Sequence, residues 1–396
     1  MTASRLWDVI VVGSGPAGSA SAALLAAEGF DVLVLEKEEF PRFHIGESLL
    51  PAGLTVLEDL GIEPDDDVFM FKQGAQFLRE STGLVSSFDF ADALEGPPRH
   101  AWHVDRASFD TMLRDRASAR GALVRHGVTV TDMEVDAESA SVQTSYGTER
   151  TRFIIDASGQ DRFIAKLRQS TVPYSKFGKA AAYAHFSGLS DEAVEVIGPG
   201  SDIRIMMVEG GWLWVIHLPG RRLSVGLVSK KPGISGRTLQ REIAVSPLLR
   251  CLTHGTEATP PQLVSGFSYR NDAKSGPRYA CIGDAACFLD PVFSSGVSLA
   301  LLGAQGLVER LAPALHEGSE AKADLYLEES AKMDEGYRAF ALLIHRFYNT
   351  RLIDNVVLNS PEEGELRASI TSMLAGDVWR EGNVFRDMLF RSRIQL

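Results

Sequence analysis

The stretch DVIVVGSGPAGSASAALLAAEGFDVLVLEKE, residues 8–38, changes its hydrophobic pattern twice. Val9 to Val12 is a short run rich in β-branched side chains, the mark of a strand buried on both faces. Gly13, Gly15 and Gly18 follow at G-x-G-x-x-G spacing. An alanine-rich helix comes next and stops near Gly29, a C-cap. A second buried strand runs from Asp31 to Leu35 and ends in Glu36. Each part has a physical reason. Gly13 permits the tight turn, Gly15 lets backbone approach a pyrophosphate, and Gly18 lets the helix pack on the strand. The helix N-terminus then faces the phosphates. Glu36 falls where an acid accepts hydrogen bonds from ribose hydroxyls. The unit reads as a dinucleotide site made of Gly13, Gly15, Pro16, Ala17, Gly18, Glu36 and Lys37.

Composition bounds the remaining classes. The chain has 396 residues, 45% hydrophobic and 23% charged, which suits two closely packed domains or one large one. A net charge of −12 argues against a nucleic-acid or anionic-membrane surface. No apolar run approaches a membrane span, and the polar start runs straight into a strand and a glycine turn, unlike a signal peptide. Cys251, Cys281 and Cys287 make neither a disulfide framework nor a zinc quartet. They read as reduced thiols, and the chain as cytoplasmic with no metal.

Three later segments favour FAD over NAD. FIIDASGQDR, 153–162, is an apolar strand ending in Asp156. RYACIGDAACFLDPVFSSGVSLALLGAQGL, 278–307, is a strand, then Gly283-Asp284, then a glycine-containing turn into a helix. WHVDRASFDTMLRDRA, 102–117, is a short strand followed by an amphipathic helix carrying Arg106. Together they resemble the FAD-dependent monooxygenase and halogenase superfamily, whose fold is that of p-hydroxybenzoate hydroxylase. The resemblance implies that Asp284 contacts the ribityl and phosphate region of the flavin, and Arg106 its dinucleotide part. By itself Asp284 also reads as a helix N-cap.

Four stretches resemble flavin-dependent halogenases in particular. FPRFHIGESLLP, 40–51, is similar to the family's R-x-x-I-G-E-S segment, which implies flavin contacts from Ile45, Gly46 and Ser48. FKQGAQF, 71–77, resembles the family's F-K-x-G, which implies that Lys72 is the lysine essential for halogenation. An ammonium there could hydrogen-bond hypohalous acid; a desolvated amine of lowered pKa could form a haloamine. Without the resemblance, Lys72 reads as a lysine on the wet face of a strand. GWLWVIHLPG, 211–220, matches W-x-W-x-I-P at Trp212, Trp214 and Ile216, with His217 where the motif has proline. In a strand those three share one face and His217 takes the other. The resemblance makes the stripe a wall between flavin and substrate. His217 is either tolerated on the far face or the mark of a changed reaction, and receives no catalytic role. LDPVFSSGVSLALLG, 289–303, implies flavin contacts at Pro291, Gly296 and Val297 and a halide beside Ser295 and Gly296, where amides opening a helix form an anion nest.

The expected fold is α/β. A Rossmann-type FAD domain would take residues 1–65, 101–165 and 270–330, and an antiparallel substrate domain 66–100 and 166–269. A helical region over 331–396, punctuated by Pro361 and Gly382 and including LAGDVW at 374–379, would cover the substrate pocket. Amphipathicity at 331–346 suits a core helix or a dimer face.

The implied activity is FADH2-dependent chlorination or bromination of an electron-rich aromatic such as a phenol, indole or pyrrole, free or carrier-tethered, in secondary metabolism. It would proceed through a flavin hydroperoxide and hypohalous acid, with a separate reductase supplying reduced FAD. A monooxygenase, dehydrogenase or reductase on the same scaffold is the rival reading.

Overall fold

A computed structural model of the chain describes residues 5–96, 98–231, 233–359, 363–391 and 394. Pro361, expected to punctuate the helical tail, lies outside them.

The glycine turn opens a Rossmann-type sheet. Leu6–Val12 lies at its centre, with Val32–Leu35 and Leu123–Arg125 on one side and Gly147–Asp156 and Tyr279–Cys281 on the other, all parallel. Val9, Ile10 and Val11 are fully buried, as a strand covered on both faces requires. The helix Pro16–Ala27 packs its small side chains against this sheet, and Gly29 follows it at φ 87°. An antiparallel pair, Val130–Val135 and Ala140–Thr144, extends the Gly147–Asp156 strand.

The second sheet runs in the order Glu257–Ala258, Ala180–Ser187, Arg222–Ser229, Gly211–Leu218, Ile203–Val208, Gly74–Arg79, Leu84–Asp89. It is antiparallel as expected, except that Ile203–Val208 pairs parallel with Gly74–Arg79. Trp212, Trp214 and Ile216 share one face with Leu218, while Leu213 and Val215 join a separate core behind the sheet. The alternation read from the sequence therefore holds.

The helix Leu327–Asn349 packs Met333, Tyr337, Phe340 and Phe347 into the same apolar cluster as Trp212 and Trp214, so its apolar face is core. Helices Glu365–Leu374 and Val384–Phe390 add Ile370, Met373, Phe385 and Leu389 to that cluster. In the LAGDVW stretch Val378 is fully buried, and Trp379 donates to Lys332 O at 2.6 Å. Among the described residues no helix is long and apolar enough to cross a membrane.

Candidate active site

A cavity opens where the carboxyl ends of the parallel strands meet the second sheet, the usual ligand position in such folds. Its lining includes most residues expected to hold a cofactor: Gly13, Gly15, Pro16, Ala17, Glu36, Lys37, Ile45, Gly46, Ser48, Arg106, Asp284, Pro291, Ser295, Gly296 and Val297. Gly18 is absent from the lining because it acts behind the turn: a Cβ there would stand 2.0 Å from Gly13 O. Gly13 itself sits at φ 98° and donates to Leu35 O at 2.8 Å.

Glu36 accepts from Ser14 N at 2.7 Å and from Glu38 N at 2.9 Å, so it shapes the glycine turn while lining the cavity. A carboxylate keeps further lone pairs for ribose hydroxyls after two such bonds. Arg106 forks onto Asp110 at 2.9 and 3.0 Å and donates to the carbonyls of Ile45 and Gly46 at 2.9 and 3.0 Å. It thereby ties the 45–48 segment to the helix Arg106–Ala119. Lys37 is half-exposed at the rim, paired with Asp161 at 2.5 Å.

Asp284 is not a helix N-cap. It lies inside the single 3-10 turn Gly283–Ala285, whose N-cap residue is Ile282, and the helix Ser295–Glu317 begins further on, behind Ser294. Asp284 faces the cavity instead, and burial pushes its carboxyl up to about 7 against the pull of Arg106 and Gln160. Ser294, in the left-handed region at φ 55°, starts the Ser295–Glu317 helix without a side-chain cap. The first-turn residues Ser295, Gly296 and Val297 line the cavity at the positive end of the helix dipole.

The tryptophan stripe divides its work. Trp214 and Ile216 line the cavity, whereas Trp212 does not. Trp214 Nε1 donates to Ser224 Oγ at 3.1 Å, and Trp212 Nε1 to Tyr348 Oη at 2.8 Å. Tyr348 in turn donates to Asp290 at 3.0 Å, linking the stripe to the turn before Ser295. Gly226 leaves room for the Trp214 ring: a Cβ there would meet Cζ2 at 2.1 Å. Gly226→Ala is therefore expected to push Trp214 off its seat. It should cost about 1–3 kcal/mol of stability by overpacking, read by thermal unfolding, and change the fluorescence of added FAD. An unchanged melting curve would mean that the wall is not rigid.

Lys72 is only 1% exposed, so it does not lie on a wet face. Its Nζ donates to Ser48 Oγ at 3.0 Å and Leu49 O at 2.8 Å and lies 5.1 Å from the Phe90 ring centre. Burial lowers its pKa to about 7, opposed by Asp202. Lys72 is not part of the cavity lining, but Ser48 is, so the amine stands one side chain from the cavity.

Sequence reading missed Glu47. It is 3% exposed, lines the cavity, and meets His185 Nε2 at 2.6 Å, while its Oε2 has no partner among the described residues. Its place between Gly46 and Ser48 was the available signal; its partner lies 138 positions away and left none.

The cavity thus joins a glycine turn, an acid at the end of the second strand, an orphaned buried carboxylate oxygen and an uncapped helix start, a lining that fits a dinucleotide flavin. The fold and site define a p-hydroxybenzoate hydroxylase-like flavoprotein. The chain matches the family described as tryptophan halogenase over residues 8–90 and 84–386, and it belongs to that family of flavin-dependent enzymes. It is 33% identical over 311 residues to the tryptophan 2-halogenase of Chondromyces crocatus, covering 74% of this chain and 58% of that one. It is 27% identical to the 1H-pyrrole-2-carbonyl-[peptidyl-carrier protein] brominase of Pseudoalteromonas luteoviolacea, covering 98% of each. Among solved structures it resembles a flavoprotein/dehydrogenase from Cytophaga hutchinsonii with TM-score 0.83 at 27% identity, covering 97% of this chain and 96% of that one.

Proposed function

We propose that this chain halogenates an electron-rich aromatic ring, using FAD reduced by a separate reductase. The observation that carries the reading is the buried amine of Lys72, held by Ser48 at the edge of the cofactor cavity. Gly13, Gly15, Pro16, Ala17 and Gly18 would seat the pyrophosphate, Glu36 and Lys37 the adenosine side, and Arg106 and Asp284 the middle of the cofactor. Ile45, Gly46, Ser48, Pro291, Gly296 and Val297 would hold the isoalloxazine. Reduced FAD, with dioxygen and halide, supplies hypohalous acid. The halide would sit at the amides of Ser295 and Gly296.

Lys72 then acts as the neutral amine. Its two acceptors, Ser48 Oγ and Leu49 O, match the two hydrogens of an amine and leave its lone pair free. The N–halogen bond forms as the oxygen–halogen bond breaks, releasing water. The halogen passes to the ring carbon, and the ring proton returns to nitrogen. Trp214 and Ile216 keep the ring off the flavin. Substrates tethered to a carrier protein fall within this reading, since the brominase relative is named for one.

The test is reduction of the FAD-loaded protein in air with chloride or bromide and a panel of phenols, indoles and carrier-bound pyrroles, read by mass spectrometry. Halide-dependent mass gains are expected. Oxygenated or dehydrogenated products indifferent to halide would instead favour the rival reading, to which the likeness to a flavoprotein/dehydrogenase points.

A further inference from the structure

The strand carrying the tryptophans ends beside His217, which reaches Lys72 through one loop. His217 Nδ1 lies 3.0 Å from Ser201 Oγ, and Ser201 O lies 2.8 Å from His103 Nε2. Ser201 holds φ 43°, a left-handed conformation that a serine keeps only where its surroundings over-determine it. On one side of it, Gly200 O accepts from Gln73 N at 2.8 Å, clamping the loop to the residue after Lys72. On the other side, Asp202 acts on the Lys72 charge, and its Oδ1 is buried without a partner among the described residues. Lys72, His103, Ser201 and His217 are 1%, 0%, 3% and 8% exposed, so all four are shielded from bulk solvent.

We infer that His217 is a positioning residue for Lys72: by gripping the Ser201 hydroxyl it holds the strained turn at Ser201, which is clamped through Gly200 O to the residue after Lys72 and carries the buried Oδ1 of Asp202, and so keeps water from the amine. The functional consequence rests on the halogenase reading; the structural linkage does not. A proline at 217, as in the motif this strand resembles, could make no such bond.

The groups around the amine can be enumerated. Ser48 Oγ and Leu49 O accept from it, and the Phe90 ring lies beside it. His103 faces it from the strand Ala101–Val104, and burial holds that imidazole neutral. Burial, and after it Arg221, lowers the pKa of His217. Asp202 is the opposing acid, itself influenced by Asp89 and Arg204. Burial lowers the proton affinity of both histidines, and that of Lys72 depends on two things that the turn controls: the dryness of the site and the placement of Asp202.

The experiment is an NMR titration of the FAD-loaded protein carrying 13Cε-labelled lysine, with the Lys72 signal assigned by its loss in Lys72→Met. The wild-type midpoint is expected near 7. In His217→Ala the turn relaxes: entering water removes the larger influence, which lowers the midpoint, while displacement of Asp202 removes the smaller one, which raises it, so the midpoint should rise on balance, by about one unit or a tenfold change in proton affinity. His217→Asn, whose amide can still meet the Ser201 hydroxyl, should restore the wild-type value. Ser201→Ala leaves His217 in place but removes its partner, and should shift the midpoint as His217→Ala does; it decides the matter if His217→Ala fails to fold. Unmoved midpoints in the alanine variants, with circular dichroism and FAD content intact, would overturn the inference, as would failure of asparagine to rescue. None of these readouts requires halogenation. A wild-type protein that makes no halogenated product sinks the functional reading and leaves the linkage standing.

Discussion

Lys72→Ala is expected to remove halogenated product by about a thousandfold, within the range for loss of a positioned proton-transfer or nucleophilic group, while reduced flavin is still reoxidised at the wild-type rate. The two halves of this result separate because Lys72 lies outside the cavity lining. Truncation does leave Ser48 Oγ and Leu49 O without their buried donor, at a cost of about 1–3 kcal/mol. Lys72→Met, which fills the space, is the control for that loss, and it should be equally inactive. Lys72→Arg should fail as well, because a guanidinium is never neutral in a protein. The protonation state of this amine also sets the pH dependence. If the free amine accepts the halogen, halogenation should rise as pH passes through about 7, the value to which burial lowers Lys72. A rate that falls through the same interval would show that the ammonium form acts, by donating a hydrogen bond to the oxidant. Product formation in Lys72→Met would exclude both.

The βαβ unit was legible in the sequence because its determinants are local. Strand burial, glycine spacing and the terminal acid all lie within residues 8–38, and Gly13, Gly15 and Glu36 stand together at the cavity. The tryptophan stripe was legible for the same reason: strand alternation is a property of consecutive residues. Lys72 shows where local pattern ends. In the strand Phe69–Lys72 it is Phe71 that is exposed and Lys72 that is buried. The inversion comes from Ser48 and Leu49, which cover the lysine from more than twenty positions away and offer it two acceptors. No periodicity encodes a partner brought in by tertiary packing. Asp284 was ambiguous because an acid before a helix signals a cap by default; the interposed turn, which moves the helix start beyond it, is a backbone feature. His217, the one departure from the tryptophan motif, could be interpreted only once Ser201 stood opposite it.

Gly18→Ala and Gly15→Ala should separate the fold from the cofactor site. At Gly18 a Cβ would stand 2.0 Å from Gly13 O and 3.2 Å from the Ala157 Cβ. Backbone cannot yield as a side-chain tip can, so the helix Pro16–Ala27 must move away by about 1 Å to approach ordinary contact distances. That helix has little freedom to move, since Ala17, Ala20, Ala22, Ala23 and Leu25 are all buried. The displacement should cost about 1–3 kcal/mol in the thermal unfolding of the apoprotein. It also carries the amides of the helix start away from the phosphates, and FAD affinity should fall about 100-fold, or about 2.7 kcal/mol. Gly15 is the converse case. Its Cβ would meet only Arg42 Nη2 at 3.6 Å, so the apoprotein should melt as wild type does. The added methyl instead occupies the cavity where the pyrophosphate is placed, and FAD affinity should fall by a similar factor. Fluorimetric FAD titration beside the two melting curves reads both effects. Wild-type FAD affinity in Gly18→Ala would mean that the start of this helix does not hold the cofactor, and the assignment of Gly15, Pro16 and Ala17 to its pyrophosphate would fall with it.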